Sequence, residues 1–357
     1  MKNVAVIMAG GKGERFWPMS TKDKPKQFLN LIDPDCSMLQ LTVNRVLPIV
    51  DMEDIYVVTN INYKDLVYQQ LPDVPKENIL FEPIGKNTAP CIGFATAVIK
   101  KRYGNANIIV LSSDSMITNN KLFLENLKTA LLYCNDRRII TLGIVPTRAE
   151  TGYGYVKIGD KFNNDNIYNV DCFVEKPCYE LAKEYCDSQS YLWNSGMFIW
   201  ENETMYSKLE ENLPQIFNGV NNIYNSVDTS AFYDVVDASF EKFDSISIDY
   251  GVMEHSDNIF VVPCNCGWDD VGSWLSVERL RQNDSDFNVY EGNTYGLYSD
   301  HNVVINKDDD LLIATVGLEN TIVVKNGKIL LIMNKDNVSD IKKIQNEISK
   351  TKYKKFL

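Results

Sequence analysis

Residues 4–8, Val-Ala-Val-Ile-Met, run directly into Ala9-Gly10-Gly11-Lys12-Gly13. A short apolar run rich in β-branched side chains is the pattern of a strand buried on both faces. The glycines that end it let backbone N–H groups approach a ligand that a Cβ would hold off. Residues 12–26 then carry Lys12, Arg15, Lys22, Lys24 and Lys26 against only Glu14 and Asp23. That local cationic excess stands in a chain of 357 residues whose net charge is −12. A strand ending in a glycine-rich, cationic loop is suited to holding phosphates. Two common phosphate loops are excluded. The third glycine of a dinucleotide fingerprint would fall on Phe16, and no Gly-Lys-Ser/Thr occurs anywhere.

The overall acidity argues against nucleic acid or an anionic membrane surface as partner, because both demand many Lys/Arg contacts. An acidic protein that takes an anionic nucleotide needs local positive charge and a metal ion. The eight cysteines are scattered, and Cys264-x-Cys266 has no second Cys/His pair to complete a zinc site. Reduced thiols are therefore expected. No stretch reads as a signal peptide or reaches membrane-spanning length, so a cytoplasmic protein is expected.

Up to about residue 145, strand patterns at 4–8, 55–59, 79–82, 108–112 and 139–145 alternate with helix patterns at 38–47, 63–71, 88–101 and 121–133. Such alternation predicts an α/β fold with a doubly wound, mostly parallel sheet, whose ligands bind outside the carboxyl ends of the strands. That rule places residues 10–13, Glu82-Pro83 and Ser113-Asp114 along one rim. From 150 to about 285 the pattern is α+β, with residues 201–245 helical and polar. After Gly292, short strands at 303–305, 311–314, 321–324 and 328–333 predict a small β domain. A terminal amphipathic helix follows, with Val338, Ile341, Ile344 and Ile348 on one face.

Asp114 follows an apolar run, and Asp270 precedes a glycine turn. Either could be a cap or turn residue, and together they could supply the two carboxylates that Mg²⁺ takes alongside phosphate oxygens. Residues 81–90, Phe-Glu-Pro-Ile-Gly-Lys-Asn-Thr-Ala-Pro, end a strand and open a helix. Asn87 or Thr88 is the expected N-cap, and Glu82 and Asn87 could bond a base and ribose. Glu175 and Asn194 are of the type that grips paired sugar hydroxyls, and Lys176 could meet a phosphate.

Seven motifs stand in one order: Gly10-Gly11-x-Gly13-x-Arg15-x-x-Pro18 with Pro25-Lys26-Gln27-Phe28; Glu82-Pro83 with Asn87-Thr88-Ala89-Pro90; Ser113-Asp114; Gly152-Tyr153-Gly154-Tyr155; Glu175-Lys176-Pro177; Trp193-Asn194-Ser195-Gly196; and Trp268-x-Asp270-x-Gly272-Ser273-Trp274. In this the chain resembles the mannose-1-phosphate guanylyltransferases of the sugar-1-phosphate nucleotidylyltransferase superfamily, in their short monofunctional form. The resemblance implies a Rossmann-like, GT-A-like catalytic domain over residues 1–285. It also implies a left-handed β-helix-like domain with a terminal helix over 286–357. By the same resemblance, Ala9, Gly10, Gly11, Gly13, Glu82, Asn87, Thr88 and Ala89 hold the nucleotide, and Tyr153, Gly154, Glu175, Lys176 and Asn194 hold the sugar phosphate. Arg15, Lys26, Asp114 and Asp270 would be catalytic, with Mg²⁺ (or Mn²⁺) on Asp114 and Asp270. GTP and mannose 1-phosphate would be the substrates, and the β tail a homodimer surface. Relatives often carry a histidine where Ser115 stands, which puts any histidine role in doubt here. Longer relatives add a metal-dependent isomerase domain, for which His255 and His301 alone could not build the metal cluster. A guanylyltransferase for another hexose or heptose phosphate, and a non-catalytic GDP-sugar sensor, are the alternatives.

Overall fold

The computed structural model describes every residue except Lys12 and Asn164, so Lys12, counted above among the loop cations, lies outside the described residues. The chain divides into two compact units. Met1–Gly10, Thr42–Ser113 and Ile117–Trp268 form the first, and Gly11–Leu41, Asp114–Met116 and Asp269–Leu357 form the second.

Before residue 270 the strands are β1 (Asn3–Met8), β2 (Ile55–Asn60), β3 (Ile79–Glu82), β4 (Asn107–Ser112), the two-residue β5 (Met116–Ile117), β6 (Ile139–Ile144), β7 (Tyr155–Lys161), β8 (Tyr168–Val174), β9 (Tyr191–Glu201), β10 (Ile259–Cys264) and the two-residue β11 (Trp268–Asp269). All except β5 and β11 join a nine-stranded sheet of the first unit, ordered β3-β2-β1-β4-β9-β6-β10-β8-β7. The four predicted helices are found as Met38–Val46, Lys64–Gln70, Thr88–Tyr103 and Asn120–Tyr133.

The sheet is mixed rather than parallel throughout. Strands β1 to β4 pair in parallel, as does β10 with β6. Strand β9 enters antiparallel to both β4 and β6, so all five predicted strands still point the same way. The antiparallel strands come from the α+β stretch after residue 150, where no βα alternation fixes direction.

The helix Thr88–Tyr103 is the centre of the first unit's core. Its residues 89–99 are all buried. Small side chains let its neighbours close in: a Cβ on Gly93 would lie 2.8 Å from Val220 Cγ2. The helices Asn202–Asn212, Pro214–Ser226 and Phe232–Lys242 cover it with Met205, Leu209, Ile216, Val220, Val236 and Phe240. That stretch looked merely polar in sequence. An apolar stripe on one face is enough to seal a helix of this kind.

The second unit has its own core around Phe16, Trp17, Leu29, Trp274, Val303 and Ile322. Strands β12 (Val289–Glu291), β13 (Thr294–Leu297), β14 (Val303–Asn306), β15 (Ile313–Val316), β16 (Thr321–Asn326) and β17 (Ile329–Asn334) build a β-helix-like stack. There β12, β14 and β16 pair in parallel in one face, and β13 pairs in parallel with β15 in another. A buried asparagine ladder ties the turns: Asn302 N–H donates to Asn288 Oδ1 at 3.0 Å, and Thr321 N–H to Asn302 Oδ1 at 2.9 Å. The terminal helix runs Ile341–Ser349 and buries Ile341, with Ile348 partly covered, but Ile344 stays 44% exposed and Val338 falls in the preceding 3-10 segment Lys335–Asp340. Among the described residues no helix is long and apolar enough to cross a membrane, and all eight cysteines are free.

Candidate active site residues

In the first unit the carboxyl ends of β1 to β4 form the predicted rim. Ala9 N–H donates to Val58 O at 2.7 Å, and the Thr59 hydroxyl donates to Ala9 O at 2.8 Å, which pins the first residue after β1. Ser113 N–H donates to Met8 O at 3.1 Å. Glu82, the last residue of β3, reaches across, so that a Cβ on Gly10 would lie 3.2 Å from Glu82 Oε2.

Glu82 is buried and its Oε1 has no hydrogen-bond partner among the described residues. Burial pushes its carboxyl from the ordinary 4.5 up to about 7, and contact with the Cys91 thiol offsets this only in part. An unpartnered buried acceptor at a strand end suits a ligand that brings N–H donors. Because the folded value lies above the unfolded one, the protonated carboxyl favours folding below pH 4.5, and that contribution is lost as pH rises through 7. A rise of this size corresponds to about 3 kcal/mol. Urea unfolding of the ligand-free protein at pH 5 and pH 8 should show this loss, and Glu82→Gln should abolish it. An identical pH dependence in the variant would refute the assignment.

Asn87 is the N-cap of the helix Thr88–Tyr103, with φ 71° and its Oδ1 accepting from Thr88 N–H at 2.9 Å. Thr88 and Ala89 also hold a distant segment. The Thr88 hydroxyl accepts from Ile248 N–H at 2.8 Å, and Ala89 N–H donates to Ile246 O at 3.1 Å.

A second group gathers over Gly154. A Cβ there would lie 2.7 Å from Glu175 Oε2 and 3.7 Å from Asn194 Nδ2, so only glycine leaves that backbone open. Asn194 N–H donates to Gly154 O at 2.8 Å. Lys176, at φ 45°, pairs with Glu175, which raises the lysine's pKa. Tyr153 is buried edge-on against Trp193 and Trp268, its hydroxyl taking a bond from Arg148 at 3.2 Å. It therefore shapes the wall of this group. Asp249, which sequence reasoning missed, accepts from Asn194 Nδ2 at 2.8 Å. Burial pushes the Asp249 carboxyl above its ordinary range, against the opposing effect of that bond.

The four residues expected to be catalytic all fall in the second unit. Lys26 is buried, and its Nζ meets Asp270 O at 2.8 Å, Val271 O at 3.0 Å and Asp114 Oδ2 at 3.0 Å. All three ammonium hydrogens are thus engaged. A phosphate contact from Lys26 would take the place of one of them. Gly13, at φ 51°, packs so tightly on this lysine that a Cβ would lie 2.4 Å from Lys26 N. Gln27 Nε2 donates to Gly11 O at 2.9 Å, folding the loop onto its own end. Arg15 lies exposed in the 3-10 turn Glu14–Phe16.

Around Asp270 the backbone is strained. Val271, a buried β-branched residue, sits at φ 48°, a conformation that costs on the order of 1–3 kcal/mol. Its N–H donates to Asp269 Oδ1 at 2.8 Å, Gly272 N–H donates to Asp270 Oδ1 at 3.1 Å, and Lys26 holds the two carbonyls. Asp269 is in turn gripped by Arg279 at 2.7 Å; burial pushes its carboxyl up, but the guanidinium and further hydrogen bonds hold it below the usual range. Among the described residues no cluster of three or more His, Cys, Asp or Glu could hold a metal. Lys26 Nζ touches both the Asp114 carboxylate and the Asp270 backbone, and a cation that completes its shell with water and phosphate oxygens takes only one or two carboxylates.

Fold and residues together define a nucleotidyltransferase: the family model described as Nucleotidyl transferase matches residues 4–286, and the MannoseP isomerase/GMP-like beta-helix domain matches 292–348. The mannose-1-phosphate guanylyltransferase of Salmonella muenchen is 37% identical over 348 residues, spanning 96% of this chain and 72% of the relative. That of Escherichia coli strain K12 is 35% identical over 351 residues, spanning 96% and 73%. A crystal structure from Thermus thermophilus, described as a mannose-1-phosphate geranyltransferase, matches with a TM-score of 0.88 at 30% identity, covering 98% of this chain and all of that one. The chain belongs to the mannose-1-phosphate guanylyltransferase family.

Proposed function

We propose that this enzyme transfers GMP from GTP to α-D-mannose 1-phosphate, giving GDP-mannose and pyrophosphate. A phosphate oxygen of the sugar attacks the α-phosphorus in line, and the bond from that phosphorus to the bridging oxygen of pyrophosphate breaks. The attacking oxygen is already ionised at neutral pH, so no general base is needed. What remains for the protein is positioning and charge neutralisation.

The observation that carries the reading is the buried Lys26 joined to Asp114 and to the strained 270–271 backbone. Asp114 and Asp270 would hold Mg²⁺ (or Mn²⁺), which when bound neutralises triphosphate charge. Arg15 and the backbone at Gly11 and Gly13 are assigned to the triphosphate. Ala9, Gly10, Asn87, Thr88 and Ala89 are assigned to the nucleoside, with Glu82 accepting from guanine N–H groups. Glu175, Asn194 and Gly154 take the sugar, with Tyr153 as their wall and Lys176 on its phosphate. We assign residues 1–285 to catalysis and 286–357 to the β-helix-like domain.

Pyrophosphate release, measured across a grid of nucleoside triphosphates and sugar 1-phosphates, tests the reading. GTP with mannose 1-phosphate should turn over fastest. A faster pair with another sugar would reassign the substrate, and no turnover with any pair would overturn catalysis. Tyr295, Tyr298, Leu312 and Val316 expose apolar surface on the β-helix-like stack, which supports a homodimer there. Light scattering should return twice 40.7 kDa, and a monomer mass would remove that assignment.

A further inference from the structure

The carboxylate of Asp249 has no role in the reaction just described, yet it fixes a residue that does. Asn194 Oδ1 accepts from Gly196 N–H at 3.1 Å while Nδ2 donates to Asp249 Oδ1 at 2.8 Å. Turning the amide over would set its oxygen against a carboxylate and its NH₂ against an N–H, losing both bonds. Among the described residues the other Nδ2 hydrogen has no acceptor, which leaves it for a ligand. Because a Cβ on Gly154 would approach both Glu175 Oε2 (2.7 Å) and Asn194 Nδ2 (3.7 Å), an acceptor and a donor converge on one patch of backbone. Two neighbouring ring hydroxyls, each able to donate and accept, match that pair.

Asp249 is itself firmly placed. It lies in the short helix Ile248–Gly251, whose cap Ser247 accepts from Tyr250 N–H at 3.2 Å. The first N–H of that helix is bound by Thr88 at 2.8 Å.

We propose that Asp249 is a positioning residue for the sugar phosphate: it holds Asn194 with its NH₂ toward Gly154 and Glu175, so that the amide donates to one sugar hydroxyl while Glu175 accepts from the next. Without Asp249 only the Gly196 N–H still holds the amide, and its turned form, which offers a second acceptor where a donor is required, becomes populated. The sugar half of this inference rests on the sugar-1-phosphate reading above.

Two measurements separate the inference from that reading. In the ligand-free protein labelled with [¹⁵N]asparagine, the Asn194 side-chain NH₂ is assigned by its loss in Asn194→Ala. Its proton facing Asp249 should be shifted downfield in the native chain, and Asp249→Leu should abolish the shift. An unmoved signal overturns the proposal whatever the substrate. In steady-state assays Asp249→Leu should raise KM for mannose 1-phosphate about 10- to 30-fold, with KM for GTP within about twofold. Asp249→Asn, which keeps an acceptor, should recover most of that loss. In an Asn194→Ala background Asp249→Leu should add nothing. Equal shifts in both KM values would mark a merely structural role, and an undiminished effect in the Asn194→Ala background would mean direct contact with substrate; either overturns the proposal. Should Asp249→Leu fail to fold, Asp249→Ala serves in its place. Failure of the native chain to use mannose 1-phosphate would sink the enzymatic reading, with the NMR result still deciding what Asp249 does.

Discussion

Asp270→Ala should lower kcat for pyrophosphate release by about 10³-fold while leaving a folded protein, because a lost cation contact to the triphosphate forfeits several kcal/mol of charge stabilisation. The structural loss is small by comparison. The side chain accepts the backbone N–H of Gly272 at 3.1 Å, and a bond of that kind is worth about 1 kcal/mol. The carbonyl that Lys26 binds belongs to the backbone and survives the substitution. Val271 keeps its hold on Asp269 at 2.8 Å. Thermal unfolding should therefore move by only a few degrees. A variant that releases pyrophosphate at the native rate would remove Asp270 from the metal assignment.

Lys26→Met should behave differently, damaging both fold and turnover. Its ammonium serves two carbonyls and the Asp114 carboxylate at 2.8–3.0 Å. Removing one partner of a buried pair costs about 3–5 kcal/mol, because the other charge is left stranded. Here the Asp114 side chain is 39% exposed, so water relieves part of that, and about 2–4 kcal/mol is expected. Urea unfolding reads the loss directly. Lys26→Met combined with Asp114→Asn should regain part of the stability, since the charge that faced the ammonium is removed with it, but none of the turnover. Full additivity of the two stability losses would show that the Lys26–Asp114 pair contributes nothing.

Much of this was legible in the chain because the relevant signals are local. An apolar run ended by glycines declares a strand and its turn, and the βα alternation up to residue 145 sets the common direction of β1 to β4 and β6. The direction of β9 was not legible, because an antiparallel entry between β4 and β6 depends on sheet closure and not on any pattern within Tyr191–Glu201. Strands β12 and β13 are not legible in the sequence, because three or four residues are too few to show an alternation. Ile344 fits an amphipathic stripe, yet it stays exposed while Ile341 before it and Ile348 after it meet the core.

For the site residues the limit was similar. Glu82, Glu175 and Asn194 stand in motifs. Asp249 stands in Ser247-Ile248-Asp249-Tyr250, which on its own reads as a capped turn. Only folding shows that it faces Asn194, 55 residues away. Sequence also presented the glycine loop as one stretch, whereas contacts group Gly10 with the first unit and Gly11 with the second.

The bonds from Thr88 and Ala89 to Ile248 and Ile246 have a bearing on protein engineering and on drift. On the assignments proposed above, recutting residues 82–90 to admit another base would loosen the segment that carries Asp249, and sugar preference would change as an unintended by-product. Directed evolution toward a new nucleoside triphosphate should therefore randomise 88–89 and 246–249 as one library. Natural lineages that exchange one of these segments without the other would inherit a mismatched pair.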